Sequence, residues 1–224
     1  MIHFLYDNKE TTLEAIDLSS VKGVLVDFDN TLYEYTPCHK KALQASWESF
    51  KALHEVSYEE FEVLYAQAQK VVKSRLKKTA SEHSRLLYFQ VMLENVFGCT
   101  KVEESLHLEE VYWDTFFRGI VLHEEILYFL TKAKNNTIKI CLVTDLTANV
   151  QLRKMVASGL CSYVDYVVTS EEAGREKPES DIFHLALAKL GLQKGEVIMI
   201  GDDRIKDIQG AEACAIRAYQ VIHT

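Results

Sequence analysis

Five short apolar runs, each closing on polar residues, punctuate the chain at 24–28, 138–143, 163–169 (interrupted by Asp165), 197–200 and 216–222. Their Val and Ile content and lack of polar alternation predict strands buried on both faces, the pattern of a parallel sheet. Between the later runs, apolar residues recur at helical spacing over 124–135, 149–158, 181–190 and 207–214. Gly159 and Gly191 stand where C-terminal helix caps are expected. Strand–helix–strand repetition of this kind predicts an α/β fold, a Rossmann-like parallel sheet with helices on both faces.

A second pattern fills residues 38–117 and contains no strand signal. Phe61, Leu64, Tyr65, Ala68, Val71, Val72 and Leu76 mark one face of a long helix, and Leu86, Phe89, Gln90, Leu93 and Phe97 mark the next. Leu108, Val111, Tyr112 and Phe116 mark another, and Trp47, Phe50 and Leu53 suggest one before them. Ser57, Ser81 and Thr100 are the N-cap candidates. Four such helices predict an all-helical bundle, a cap inserted after the first strand. The organisation read from this is an N-terminal extension over 1–20, an α/β core over 21–36 and 119–224, and a helical cap over 37–118, with linkers near 34–37 and 118–123. An insertion after strand one is expected to act as a mobile cover over the C-terminal sheet edge, where such folds bind ligands.

Composition narrows the picture. The 224 residues hold only nine Gly and two Pro, about 5% together, against a usual ~12%. Turn-rich sandwiches and small barrels are thereby disfavoured. The scarcity is local: between Gly23 and Gly119 the one glycine is Gly98, across the predicted helical insertion. A net charge of −8 supplies no field for a nucleic acid polymer or an anionic membrane. No apolar run reaches the ~18 residues of a membrane span, and the N-terminus lacks the features of a secretory signal. The five cysteines (Cys38, Cys99, Cys141, Cys161, Cys214) are scattered, so they read as reduced, mostly buried thiols of a cytoplasmic protein.

The chemistry gathers at strand ends. Asp27 and Asp29 follow the first apolar run, and side chains at i and i+2 of an extended chain point the same way. Gly201, Asp202 and Asp203 close the fourth run, with Asp207 opening the next helix. If these two strands are neighbours, the acids converge into an all-oxygen cluster suited to Mg²⁺. Capping of the following helix is the plainer explanation of any single one of these acids. Thr144 and Asp145 close the second run, with backbone N–H groups following toward a helix start. Lys177, before Pro178, could neutralise phosphate and carboxylate charge.

At these residues the chain resembles the haloacid dehalogenase-like superfamily. Asp27, Asp29, Asn30 and Thr31 resemble its first motif and Thr144 its second. Lys177 and Pro178 with Asp181 resemble its third, and Gly201, Asp202, Asp203 and Asp207 its fourth, in order from about Lys22 to the C-terminus. The helical insertion is similar to the cap of one phosphatase subgroup. The resemblance implies an aspartyl phosphate on Asp27, with Asp29 as general acid and then general base. It implies that Thr144 binds the phosphoryl group and that Lys177 holds the intermediate. Mg²⁺ would be bound by Asp27, the backbone carbonyl of Asp29 and Asp202, supported by Asp207. Asn30 stands where glycine is commoner, and Asp145 where asparagine or glycine is usual.

These features predict a Mg²⁺-dependent phosphatase for a small soluble phosphomonoester such as a sugar phosphate, a sugar-acid phosphate or a nucleotide. A sugar phosphomutase on the same chemistry, or a non-catalytic binding protein on the same fold, is the alternative. Within the insertion, Lys73, Arg75, Lys77, Lys78, His83 and Arg85 concentrate cations. Either this is a solvated turn, or it recognises an anionic substrate, with His83 and Arg85 as the chosen pair. Asn30 and Asp145 complete the set of substrate-binding candidates. The role of residues 1–20, and whether the protein forms a homodimer, stay open at this level.

Overall fold

The computed structural model describes all residues except 1, 7–8, 13–14, 51–54 and 224, together with the side chains of Ile2 and His3. Two compact units emerge, one formed by 1–34 with 121–224 and the other by 35–120.

The first unit is built on one seven-stranded sheet in the order β2-β1-β7-β6-β3-β4-β5. Its strands are β1 (Ile2–Tyr6), β2 (Lys9–Thr11), β3 (Gly23–Val26), β4 (Lys139–Thr144), β5 (Tyr166–Thr169), β6 (Val197–Gly201) and β7 (Arg217–His223). Strands β7, β6, β3, β4 and β5 run parallel. All four residues of β3 are buried, as its uniformly apolar sequence requires. Leu25, Cys141, Val143, Val168 and Met199 pack with Ile182, Phe183, Ala186 and Leu190 of α8 (Ser180–Leu190). The alternating residues Val24, Val26, Ile140, Leu142, Ile198 and Ile200 are equally buried and face the other way. Helix α5 (Glu124–Asn135) packs on β4 outside the α8 cluster. Helix α6 (Ala148–Ser158) follows β4, and the short α7 (Ser170–Ala173) follows β5. Gly159 and Gly191 cap α6 and α8 with φ of 74° and 66°, the left-handed conformation a C-terminal cap requires.

The N-terminal extension, whose role the sequence leaves open, supplies strands: β1 pairs antiparallel with β7 and with β2, lengthening the sheet. Two features depart from the sequence expectations. The helix expected over 207–214 is a π-helical segment, Arg204–Gln209, running into α9 (Gly210–Ala213). The thiols are not mostly buried: Cys38 and Cys141 are, Cys214 is intermediate, and Cys99 and Cys161 are exposed.

The second unit is four helices, α1 (Tyr35–Ser49), α2 (Tyr58–Arg75), α3 (Arg85–Phe97) and α4 (Val102–Arg118). Helix α1 starts at Tyr35 with Pro37 in its first turn, where proline is tolerated, directly after the unit boundary at 34/35. Leu53 lies outside the described residues. Phe61, Tyr65, Tyr88, Phe89, Met92, Tyr112, Trp113 and Phe116 form the interior of this unit, at the helical spacing of the sequence pattern. Ser57 caps α2, but Ser84 rather than Ser81 caps α3. Lys101 rather than Thr100 is the N-cap residue of α4, and the Thr100 hydroxyl donates to Glu94 instead.

At Ser57 the capping box is complete: its hydroxyl accepts from Glu60 N–H at 3.3 Å, and Glu60 Oε2 accepts from Ser57 N–H at 3.0 Å. Ser57→Ala is expected to cost about 1 kcal/mol, read as a lower denaturant midpoint for the helical unit. An unchanged midpoint would show that the box contributes nothing.

Candidate active site

The parallel order β6-β3-β4 brings three strand ends together. Val26 is in register with Ile200 and with Leu142, and Asp27 N–H donates to Ile200 C=O at 2.9 Å. Asp27, Gly201–Asp202 and Thr144 therefore leave the sheet side by side, at the carboxyl ends of its strands.

Around Asp27 the geometry is tight. Lys177 Nζ donates to Asp27 Oδ1 and to Asp207 Oδ1, each at 2.6 Å, and to Val143 C=O at 3.1 Å. The Thr31 hydroxyl donates to Asp27 Oδ2 at 2.9 Å and accepts from Asp202 N–H at 3.0 Å. Carboxylate oxygens of Asp27, Asp202 and Asp207 lie within 4.8 Å of one another. Burial pushes Asp27 up to about 7, with Lys177 opposing and Asp207 reinforcing the shift. Burial, then the Asp27 charge, raises Asp202 to about 7, and burial raises Asp207 against the pull of Lys177. At Lys177 burial works against the ammonium, but Asp207 and Asp27 outweigh it and hold the group well above its ordinary range. One ammonium among three carboxylates, those of Asp27 and Asp207 buried and that of Asp202 half-buried, makes an acid-rich site of the kind that favours a hard cation. Gly201 makes this packing possible, because a Cβ there would lie 2.4 Å from Asp207 Cγ.

Asp29 takes a different environment. Its carboxylate receives Lys154 Nζ at 2.8 Å on each oxygen and the Tyr33 hydroxyl on Oδ1. It is not one of the three carboxylates in the cluster, so the pair expected to point the same way serves two surroundings. Asn30 adopts φ of 63°, a conformation that asparagine tolerates better than most side chains. This accounts for an asparagine in place of the commoner glycine. Its carbonyl contacts His223 Nε2.

The Thr144 hydroxyl accepts from Gln151 Nε2 at 2.7 Å. Asp145 accepts from Lys177 N–H at 3.0 Å and from Lys206 Nζ at 2.7 Å. Lys206 thus offsets the charge of the unusual aspartate beside Thr144.

In the helical unit the basic segment divides. Arg75, Lys77 and Lys78 are exposed, Lys73 and His83 are half-buried, and Arg85 is buried. His83 Nε2 lies 3.6 Å from Glu82 Oε1. The Arg85 guanidinium sits 5.3 Å from the Trp113 ring centroid and 5.6 Å from that of Tyr88. It donates to His83 C=O at 2.5 Å and to the hydroxyls of Tyr35 and Tyr112. No carboxylate among the described residues pairs with it.

Tyr33, Gln151, Lys154 and Lys206 adjoin these residues and were not singled out by the motifs, whereas Thr31 was named in the first motif without a role. One signal was available: Gln151 and Lys154 share the buried face of α6 with Met155, polar residues where the 3.6 period calls for apolar ones. Gly201→Ala is expected to displace Asp207 from Lys177 and to destabilise the protein by about 1–3 kcal/mol as overpacking, measured by denaturant unfolding. Wild-type stability in that variant would show that Asp207 has room to move at no cost.

The family model described as "Haloacid dehalogenase-like hydrolase" matches residues 24–221. The chain is 37% identical over 195 residues to a ribulose-1,5-bisphosphate 5-phosphatase of Halopiger xanaduensis, covering 87% of this chain and 82% of that one. It is 31% identical over 194 residues to a glyceraldehyde 3-phosphate phosphatase of Methanopyrus kandleri, covering 85% and 79%. A crystal structure of a phosphatase from Thermococcus onnurineus has the same fold, with a TM-score of 0.67 at 23% identity, covering 88% of this chain and 85% of that one. With its D-x-D strand end, buried lysine and paired acidic turn in the family's order, the chain belongs to the haloacid dehalogenase-like hydrolases.

Proposed function

We propose that this protein is a Mg²⁺-dependent phosphatase that hydrolyses a small phosphomonoester through an aspartyl phosphate on Asp27. The observation that carries the reading is Asp27 itself: a buried carboxylate held at 2.6 Å by Lys177 and at 2.9 Å by Thr31, at the head of a three-carboxylate cluster. Its relatives from Halopiger and Methanopyrus are named as phosphatases of small phosphate esters.

In the first step an Asp27 oxygen forms a bond to phosphorus as the ester P–O bond breaks. Protonated Asp29 gives its proton to the departing oxygen, leaving Asp29 ionised. In the second step a water oxygen attacks phosphorus and loses a proton to Asp29, and the Asp27–phosphorus bond breaks to release inorganic phosphate. Lys177 neutralises charge at Asp27 throughout. Thr144, whose hydroxyl donates to Asp145 C=O at 3.3 Å, would turn that hydrogen to a phosphoryl oxygen, while Gln151 donates to the same hydroxyl oxygen. Asp27, Asp202 and Asp207, with the Asp29 carbonyl, are the oxygen donors that would hold Mg²⁺. When bound, the ion supplies charge neutralisation on the phosphoryl oxygens.

Substrate choice is assigned in part to the helical unit. A buried guanidinium whose acceptors are neutral oxygens lacks the anion that normally offsets its desolvation. Arg85, with the hydroxyls of Tyr35 and Tyr112, is suited to a second anionic group on the substrate. The Halopiger relative is named for a bisphosphate.

Asp27→Asn is expected to lower phosphate release by roughly 10³-fold or more while the fold is kept. Chelation of divalent cations should abolish turnover and added Mg²⁺ restore it; full activity in either test refutes the reading. Inorganic phosphate as product separates hydrolysis from transfer to another hydroxyl. Arg85→Met should raise KM by roughly tenfold, about 1.4 kcal/mol, for esters bearing a second phosphate or carboxylate. It should leave esters with a single anionic group nearly unaffected. Equal KM changes in a steady-state comparison of the two classes would remove Arg85 from recognition.

A further inference from the structure

Helix α6 is inverted relative to the usual amphipathic rule. Its buried residues are Gln151, Lys154 and Met155, while Leu152 and Val156 are 49% and 72% exposed. A lysine is almost never fully buried unless paired, because an ammonium loses far more hydration than a leucine gains by burial. Yet the Lys154 side chain is only 1% exposed, and its Nζ bridges both oxygens of Asp29 at 2.8 Å. The ammonium also lies 5.9 Å from the Phe28 ring centroid. Tyr33, four residues after Asp29 and fully buried, adds its hydroxyl to Oδ1. A bridging ammonium resists rotation of the carboxylate about its last bond, since turning breaks one of the two contacts. The Asp29 side chain keeps 31% exposure, so it remains reachable by a leaving group or a water. The other buried polar residue of α6, Gln151, reaches Thr144 in the same manner.

We infer that Lys154 is a positioning residue for the general acid–base Asp29, and that α6 trades apolar burial for this hold. The inference rests on the phosphatase reading above. Lys154 neither touches phosphorus nor exchanges a proton in the reaction. It sets the direction in which the Asp29 oxygen meets the departing oxygen and the attacking water. A salt bridge that merely stabilised the fold would be blind to the nature of the leaving group. A hold on the general acid is not, because an alkoxide needs a proton to depart and a nitrophenolate hardly does.

The test compares kcat/KM of wild type, Lys154→Met, Asp29→Asn and the double variant. The substrates are p-nitrophenyl phosphate and an alkyl phosphomonoester, with rates normalised to folded protein by circular dichroism. Lys154→Met is expected to lose about 10²-fold on the alkyl ester, in the range general acid catalysis provides, and less than about a tenth of that on the aryl ester. The double variant should be no slower than Asp29→Asn alone, as expected when one residue acts through the other. Equal losses on both esters, or additive losses in the double variant, overturn the inference. Asp27→Asn, run alongside, addresses the underlying reading separately. Retained activity there removes the aspartyl phosphate, whereas the ratio of the two losses in Lys154→Met decides the role of Lys154.

Discussion

The buried contact among Lys177, Asp27 and Asp207 is the constraint around which the α/β unit is arranged. An ammonium 4% exposed is tolerable only with anions at hydrogen-bond distance, and here two carboxylates each approach to 2.6 Å. Those anions come from the turns after β3 and β6, so the strands must be adjacent and parallel. The closeness of Asp207 forbids a side chain at position 201. Three carboxylates around one ammonium leave an excess of acidic groups at these strand ends, the donor type that hard cations take.

Charges farther out follow from this centre. Asp145, an acid next to Thr144, would repel an anion there if left alone. Lys206, projecting from the π-helical turn that also carries Asp207, meets it at 2.7 Å. Gln151 and Lys154 serve Thr144 and Asp29 from one helix. Polar side chains at three strand ends are thus each braced by a residue from a neighbouring turn or helix, which is how a cluster on loops acquires rigidity.

The helical unit solves a different problem. Its interior is aromatic, and Arg85 lies within it against Trp113, Tyr88, Tyr112 and Tyr35. Burial, and then the guanidinium, pull His39 down to about 4, so the imidazole beside the Tyr112 hydroxyl is neutral. Arg85 therefore carries the positive charge of this cluster without a second cation from His39.

The sheet and the bundle were legible in the amino-acid sequence because burial imposes a pattern: unbroken apolar runs in strands covered on both faces, a period of 3.6 in amphipathic helices. The acids at strand ends were legible because a short motif has its partners within a few residues. Ser57, Gly159 and Gly191 were legible because caps are local chemistry. The N-terminal hairpin depends on pairing with β7, some two hundred residues away along the chain, which local pattern does not encode. The same holds for Lys154 and Lys206, whose partners Asp29 and Asp145 lie 125 and 61 residues away. Their charge alone marks them as surface residues, and only the packing of α6 and of the π-helical turn sets them against carboxylates. Sequence by itself determined which elements form and which acids close them. Tertiary structure decided which charges are buried together, because the free energy of an ion pair depends on distance and desolvation, and neither exists until the chain has folded.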